Sequence, residues 1–166
     1  MKYSCLIYSE GGRDKKFLMS LIPLLEKYHA RKWSFIYDNA SGCSPETILE
    51  QCQKIQFIDV YKLVLCFIDR DKLKEDYPRT WEMEKIKLES KYQNFNIIWQ
   101  IENAEDEYKK VLGDKHYKKH EINKLAKQNI EKFINSDFWK RIINPIKDKE
   151  RELKATLSET PAPAPQ

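Results

Sequence analysis

Apolar residues gather into four short runs separated by amphipathic stretches. "YSCLIY" at 3–8, "WSFIY" at 33–37, "YKLVLCFI" at 61–68 and "FNIIWQI" at 95–101 each predict a strand. The third run is the most apolar, which places it at the centre of a sheet covered on both faces. Between the runs the period changes to that of a helix. Residues 14–28 set Phe17, Leu18, Leu21, Leu24, Leu25 and Tyr28 on one face, with Pro23 marking a kink or an early break. Ser44-Pro45-Glu46 fits an N-cap followed by proline at the first helical position, opening a helix that runs to about residue 56. A charged helix is expected from Trp81 to Tyr92. Beyond the fourth strand only helices are expected, over 105–112 and 119–134, with a short piece at 137–143. Residues 155–166, ending "TPAPAPQ", predict a disordered Pro/Ala tail.

Strand and helix alternate four times, which predicts an α/β fold with a mostly parallel four-stranded sheet flanked by helices. Residues 1–113 carry the sheet, and 114–154 form a basic helical C-terminal extension of the same domain. Sheets of this kind bind ligands at the carboxyl ends of their strands. Glu10 follows the first strand, and Asp69 and Asp71 follow the third. Glu102, Glu105, Asp106 and Glu107 follow the fourth, so all these carboxylates are expected on one edge of the sheet.

The 166 residues suit one domain, and 34% charged with 12% aromatic residues excludes a disordered chain. No apolar run approaches the roughly 20 residues needed to cross a bilayer. The N-terminal stretch lacks a small-residue cleavage site and does not read as a signal peptide. Cys5, Cys43, Cys52 and Cys66 lack metal-ligand spacing, and two of them fall in predicted strands. Reduced core thiols and a cytoplasmic location are the expectation. The net charge of +4 is uneven: residues 114–154 hold 12 Lys/Arg against 7 Asp/Glu, whereas residues 1–113 hold 18 of each. The basic excess favours an acidic partner on that flank, with Lys115, Lys118 and Lys119 as candidate nucleic-acid contacts. Trp81, Trp99 and Trp139 read as packing residues.

Crowded carboxylates raise one another's pKa and strain a fold unless a cation neutralises them. An all-oxygen set suits Mg²⁺ or Mn²⁺. In "DRD" both aspartates can turn toward one ion where the strand leaves the sheet. The glycines after Glu10 let the backbone turn sharply and let a phosphate approach, and Arg13 adds a phosphate contact. Together these residues describe a site for metal-assisted phosphoryl transfer.

"EGGRD" at 10–14 and "DRD" at 69–71, each closing an apolar strand, resemble the motifs of the TOPRIM domain, itself a Rossmann-like fold. That module is shared by topoisomerases, primases, OLD-type nucleases and small maturation nucleases. "ENAEDEYKKVLG" resembles a diverged form of the N-x-x-x-E segment of the stand-alone OLD-type and RloB-like branches, with Asn103 and Glu107 in the matching places. Ala104 and Asp106 stand where the RloB-like version has proline and an aromatic residue. The resemblance covers residues 3–113. It implies a divalent-metal nuclease with Glu10 as ligand or general acid/base, Asp69 and Asp71 as ligands, and Glu107 completing the set. It also implies nucleic acid as substrate, phage defence as the setting and a separate ATPase as partner; an oligomer is compatible with it. Topoisomerase or primase activity would call for further domains.

Two other classes compete. A receiver-type signalling domain also ends its central strand on an aspartate, but it needs an acidic pair after strand one and a lysine after a fifth strand. Glu10 stands alone and no fifth strand is expected. A TOPRIM-like scaffold that binds nucleic acid or a partner without cleaving it has the same sequence signature.

Overall fold

The computed structural model describes residues 2–28, 32–58, 61–113 and 118–158. Four strands, β1 (Tyr3–Ser9), β2 (Trp33–Asn39), β3 (Leu63–Ile68) and β4 (Asn96–Trp99), form one all-parallel sheet in the order β2-β1-β3-β4. Every residue of β3 is buried, as a strand covered on both faces requires. Alternation then divides its side chains between two layers. Leu65 and Phe67 join Cys5 and Ile7 of β1 on one face. Val64, Cys66 and Ile68 join Leu6 and Tyr8 on the other.

The first face is covered by α1 (Gly12–Tyr28), α5 (Ala104–Leu112), α6 (Lys119–Gln128), a 3₁₀ turn (Ile130–Phe133) and α7 (Asp137–Ser158). Phe17, Tyr108, Phe133 and Phe138 bring four of these elements together, with ring centroids between 4.1 and 6.3 Å apart. Aromatic pairs of this kind contribute about 0.5–1.5 kcal/mol each beyond area burial. The second face is covered by α2 (Pro45–Ile58), α3 (Asp71–Asp76) and α4 (Trp81–Lys91), through Ile48, Leu49, Cys52, Leu73 and Leu88. Ser44 caps α2 as expected, its hydroxyl accepting from the Thr47 N–H at 3.4 Å. The thiols are free, and Cys5, Cys52 and Cys66 are buried in the two cores. No helix among the described residues is long and apolar enough to cross a membrane.

Several boundaries differ from expectation. α1 continues through Pro23 to Tyr28, so of the kink or early break expected there the early break does not hold. α3 has no counterpart in the sequence reading, because its six residues are mostly charged and bury only Leu73. The helix expected over 119–134 ends at Gln128 and gives way to the 3₁₀ turn. The short piece at 137–143 is the start of the 22-residue α7, which passes through Pro145 and buries Phe138, Trp139, Ile142, Ile143 and Ile146. Its last turn makes residues 155–158 helical, so of the tail expected over 155–166 only residues 159–166 lie outside the described part.

α7 crosses the whole sheet. Arg141 donates to the Trp99 carbonyl of edge strand β4 at 2.6 Å. Glu150 accepts from the indole N–H of Trp33, on the opposite edge strand β2, at 2.8 Å. The rise from Arg141 to Glu150 is about 13 Å, close to the roughly 14 Å of three inter-strand gaps.

Candidate functional site

From β1 the chain crosses by α1 to β2 on one flank, then by α2 back to β3 on the other. α1 and α2 lie on opposite faces, so a crevice opens between the carboxyl ends of β1 and β3, the place where open α/β sheets take ligands. Ser9 pairs with Phe67, which sets Glu10 opposite the end of β3. The Glu10 carboxylate accepts from the Asp69 N–H at 3.1 Å. The Ser9 carbonyl accepts from Ala40 N–H at 2.9 Å and the Glu10 carbonyl from Gly42 N–H at 3.3 Å, tying the β2 end to the same place.

Five carboxylates feel one another here: Glu10, Asp14, Asp69, Asp71 and Glu105. Burial, then Glu10, Asp14, Asp71 and Glu105, push the Asp69 carboxyl up to about 9. Burial, then Glu105 and Glu10, push Asp14 to about 7, with a hydrogen bond from the Tyr108 hydroxyl and then Arg13 pulling the other way. Glu10 is raised chiefly by burial, and the Asp69 N–H offsets part of that. The Tyr108 hydroxyl lies fully buried among these acids and stands within reach of Asp14, whose charge it favours.

Arg70 explains the one-residue spacing of the two aspartates. Its Nε donates to the carbonyls of Gln100 at 2.9 Å and Ile101 at 2.8 Å, and its guanidinium lies 5.6 Å from the Trp81 ring centroid. The N–H groups of Arg70 and Asp71 both donate to the Glu102 carbonyl, at 2.8 and 3.0 Å. Arg70 thus fastens the end of β3 to the end of β4, away from the acids. Asp71 opens α3 and is exposed, its carboxylate accepting from the Lys72 N–H at 2.6 Å.

The acids after β4 separate by role. Glu105 lies within electrostatic reach of Glu10, Asp14 and Asp69. Glu102 pairs with Lys74. Asn103 caps α5, its side-chain carbonyl accepting from Asp106 N–H at 3.0 Å. Glu107, expected as the last metal ligand, is buried and committed elsewhere: it pairs with Arg141 at 2.6 Å and accepts from Ile101 N–H at 2.8 Å. Two positions apart on a helix is about 200°, so Glu105 and Glu107 look in nearly opposite directions.

The glycines play a smaller part than expected. Neither Gly11 nor Gly12 has a positive φ. A Cβ at Gly12 would meet nothing within 4 Å and one at Gly11 only the Asp14 carboxylate at 3.9 Å, so the turn does not demand glycine. Arg13 and Lys118 are exposed. Lys115 lies outside the described residues, and Lys119 opens α6, its side chain likewise outside them.

The donor chemistry suits a hard divalent cation. As the side chains stand, no three His, Cys, Asp or Glu groups among the described residues converge closely enough to enclose an ion. A bound cation would therefore require side-chain rotation at Glu10, Asp69 and Asp71. The chain matches no family model, no curated protein and no solved structure.

Proposed function

We propose that this protein is a Mg²⁺- or Mn²⁺-dependent nuclease that cleaves phosphodiester bonds of nucleic acid. The observation that carries this reading is the strained cluster of Glu10, Asp14 and Asp69, with Asp71 and Glu105, in the crevice between β1 and β3. Carboxylates are buried beside one another there, with Arg13 offsetting only part of the repulsion at Asp14, and such perturbed groups cluster where a cation or a reaction uses them. The likeness of "EGGRD" and "DRD" to TOPRIM motifs supports the same reading, since both segments border this crevice.

A divalent ion bound here would polarise a phosphoryl oxygen and supply a nucleophilic water at neutral pH. Glu10, Asp69 and Asp71 would hold it, with Glu105 and Asp14 within electrostatic reach. Glu10 keeps its backbone donor and its place between the strand ends, which orients one carboxylate oxygen and leaves the other for ligand or proton. Arg13 and the basic flank with Lys118 offset the repulsion between these acids and incoming phosphates. A separate ATPase partner, a role in phage defence and a cytoplasmic location belong to the same reading.

The test is cleavage of labelled single- and double-stranded DNA and RNA in Mn²⁺, compared with EDTA and with Asp69→Asn. Metal-dependent cleavage lost in the variant is expected. Cleavage that ignores both metal and variant would place the chemistry elsewhere. The absence of a converged ligand set favours a second reading, a TOPRIM-like module that binds nucleic acid or a partner without cleaving. Binding of the same substrates without any cleavage would select it.

A further inference from the structure

β4 pairs with β3 on one side only, and among the described residues no strand pairs with its other edge. Successive backbone groups of a strand point alternately to its two sides. The Gln100 N–H turns inward to the Ile68 carbonyl at 2.9 Å. The Trp99 carbonyl and the Ile101 N–H turn outward, to Arg141 and Glu107. By the same alternation the N–H and C=O of Ile97 and the N–H of Trp99 face outward too. They face a groove of about 1250 Å³ walled by α4 on one side and α7 on the other.

The Glu107–Arg141 pair closes one end of this groove as a neighbouring strand would, offering an acceptor to Ile101 and a donor to Trp99. From Trp99 N–H back toward Asn96 no strand among the described residues covers the edge. The groove also has a sign. Each carboxylate that lines it is already paired with a lysine or arginine. Lys62, Lys110 and Lys132 line it exposed, and none has an ion-pair partner among the described residues.

We propose that this groove binds an extended acidic peptide segment of a partner protein, added to the sheet as a fifth strand beside β4. Backbone hydrogen bonds to Ile97 and Trp99 supply the attachment, and the three free lysines select for acidic side chains. A free strand edge is a template for such pairing. The helical walls α4 and α7 admit a single strand more readily than the flanked edge of a second sheet. This proposal stands apart from the nuclease reading, because it uses a different edge of the sheet.

The probe is a fluorescein-labelled octapeptide of alternating valine and glutamate, followed by fluorescence anisotropy, with the alternating valine and lysine peptide as control. The acidic peptide is expected to bind at least tenfold more tightly than the basic one, and less tightly as salt rises. Ile97→Pro removes an outward N–H without touching the ladder to β3, a position where an edge strand tolerates proline. It should weaken binding at least tenfold, and so should Lys110→Glu/Lys132→Glu. Should Ile97→Pro fail to fold, the lysine variant and hydrogen exchange decide: bound peptide must slow exchange at the Ile97 and Trp99 amides of the wild type. No binding, equal binding of both peptides, or unprotected amides would overturn the proposal. So would tight binding of a dT12 strand through the same lysines, which would make the groove a nucleic-acid track. Self-association in sedimentation that Ile97→Pro abolishes would overturn it in favour of a second copy.

Discussion

The Asp69 backbone N–H donates to the Glu10 carboxylate at 3.1 Å, joining the ends of the two central strands through a side chain. The bond eases the burial of Glu10. The Asp69 carboxylate is pushed higher than Glu10's neighbour Asp14, because four acids add to its burial.

The sign of the pH dependence follows. Asp69 and Asp14 titrate in the folded state at about 9 and about 7, above the ordinary 3.8, so the folded chain keeps protons the unfolded chain has lost. Stability is then lost as pH rises from the unfolded pKa of about 4 through these folded values. The metal-free melting temperature should fall by at least about 4 °C between about pH 5 and about pH 9 through this cluster, the equivalent of about 1–2 kcal/mol. Asp69→Asn should melt higher than wild type in EDTA, with a gap that widens with pH. Parallel curves would mean that the acids do not strain the fold.

Metal should reverse the strain. Wild type in Mn²⁺ or Mg²⁺ at neutral pH should gain stability according to ligand concentration over Kd. Asp69→Asn and Glu10→Gln should gain less. Thermal scans that show equal gains in all three proteins would remove the shared site.

Chemistry should follow the crevice acids. Glu10→Gln, Asp69→Asn and Asp71→Asn should each reduce cleavage by at least roughly 10²-fold while substrate binding survives. Undiminished turnover in all three would exclude this cluster as the catalytic centre.

Glu107 should behave as a structural residue. Glu107→Ala leaves Arg141 and the Ile101 N–H without their partner, at a cost of about 3 kcal/mol. A melting temperature lower by about 6–12 °C is expected, with cleavage per folded molecule unchanged. A folded, stable and inactive variant would return Glu107 to the site.

The basic flank is tested by salt. Lys115→Ala/Lys118→Ala/Lys119→Ala should flatten the dependence of log affinity on log salt by about 2, since each phosphate contact carries about 0.7–0.9. Truncation after Leu153 should change it much less. An unaltered slope would assign these lysines to solvated surface.

The strands and the crevice were legible because apolar runs that stop on an acid are a local signal, as at Tyr8–Glu10 and Ile68–Asp69. The choice between Glu105 and Glu107 was not legible. It depends on which face of α5 turns to the sheet, and the partner that claims Glu107 is Arg141, on a helix whose reach Pro145 concealed. Strand four was expected to run to Ile101 but ends at Trp99, where Arg70 takes the carbonyls of Gln100 and Ile101 and Glu107 takes the Ile101 N–H. Those are side chains distant in sequence, which no window along the chain contains. Asp14 carried a signal in "EGGRD", but its raised pKa comes from burial and then Glu105, and only the assembled fold supplies those.

α7 ties one edge of the sheet to the other, and that orders events during synthesis. A nascent chain that has left the ribosome only through β4 owns every strand yet lacks the cover for Phe17, Phe67 and Ile98. Its parallel pairing is already slow to form, because each contact joins distant parts of the chain. Until Trp139 and Ile146 emerge and close over that face, the half-made protein is a client for chaperones and a target for proteases. Premature termination between β4 and α7 should therefore yield no working sheet domain, only a sticky intermediate that the cell clears.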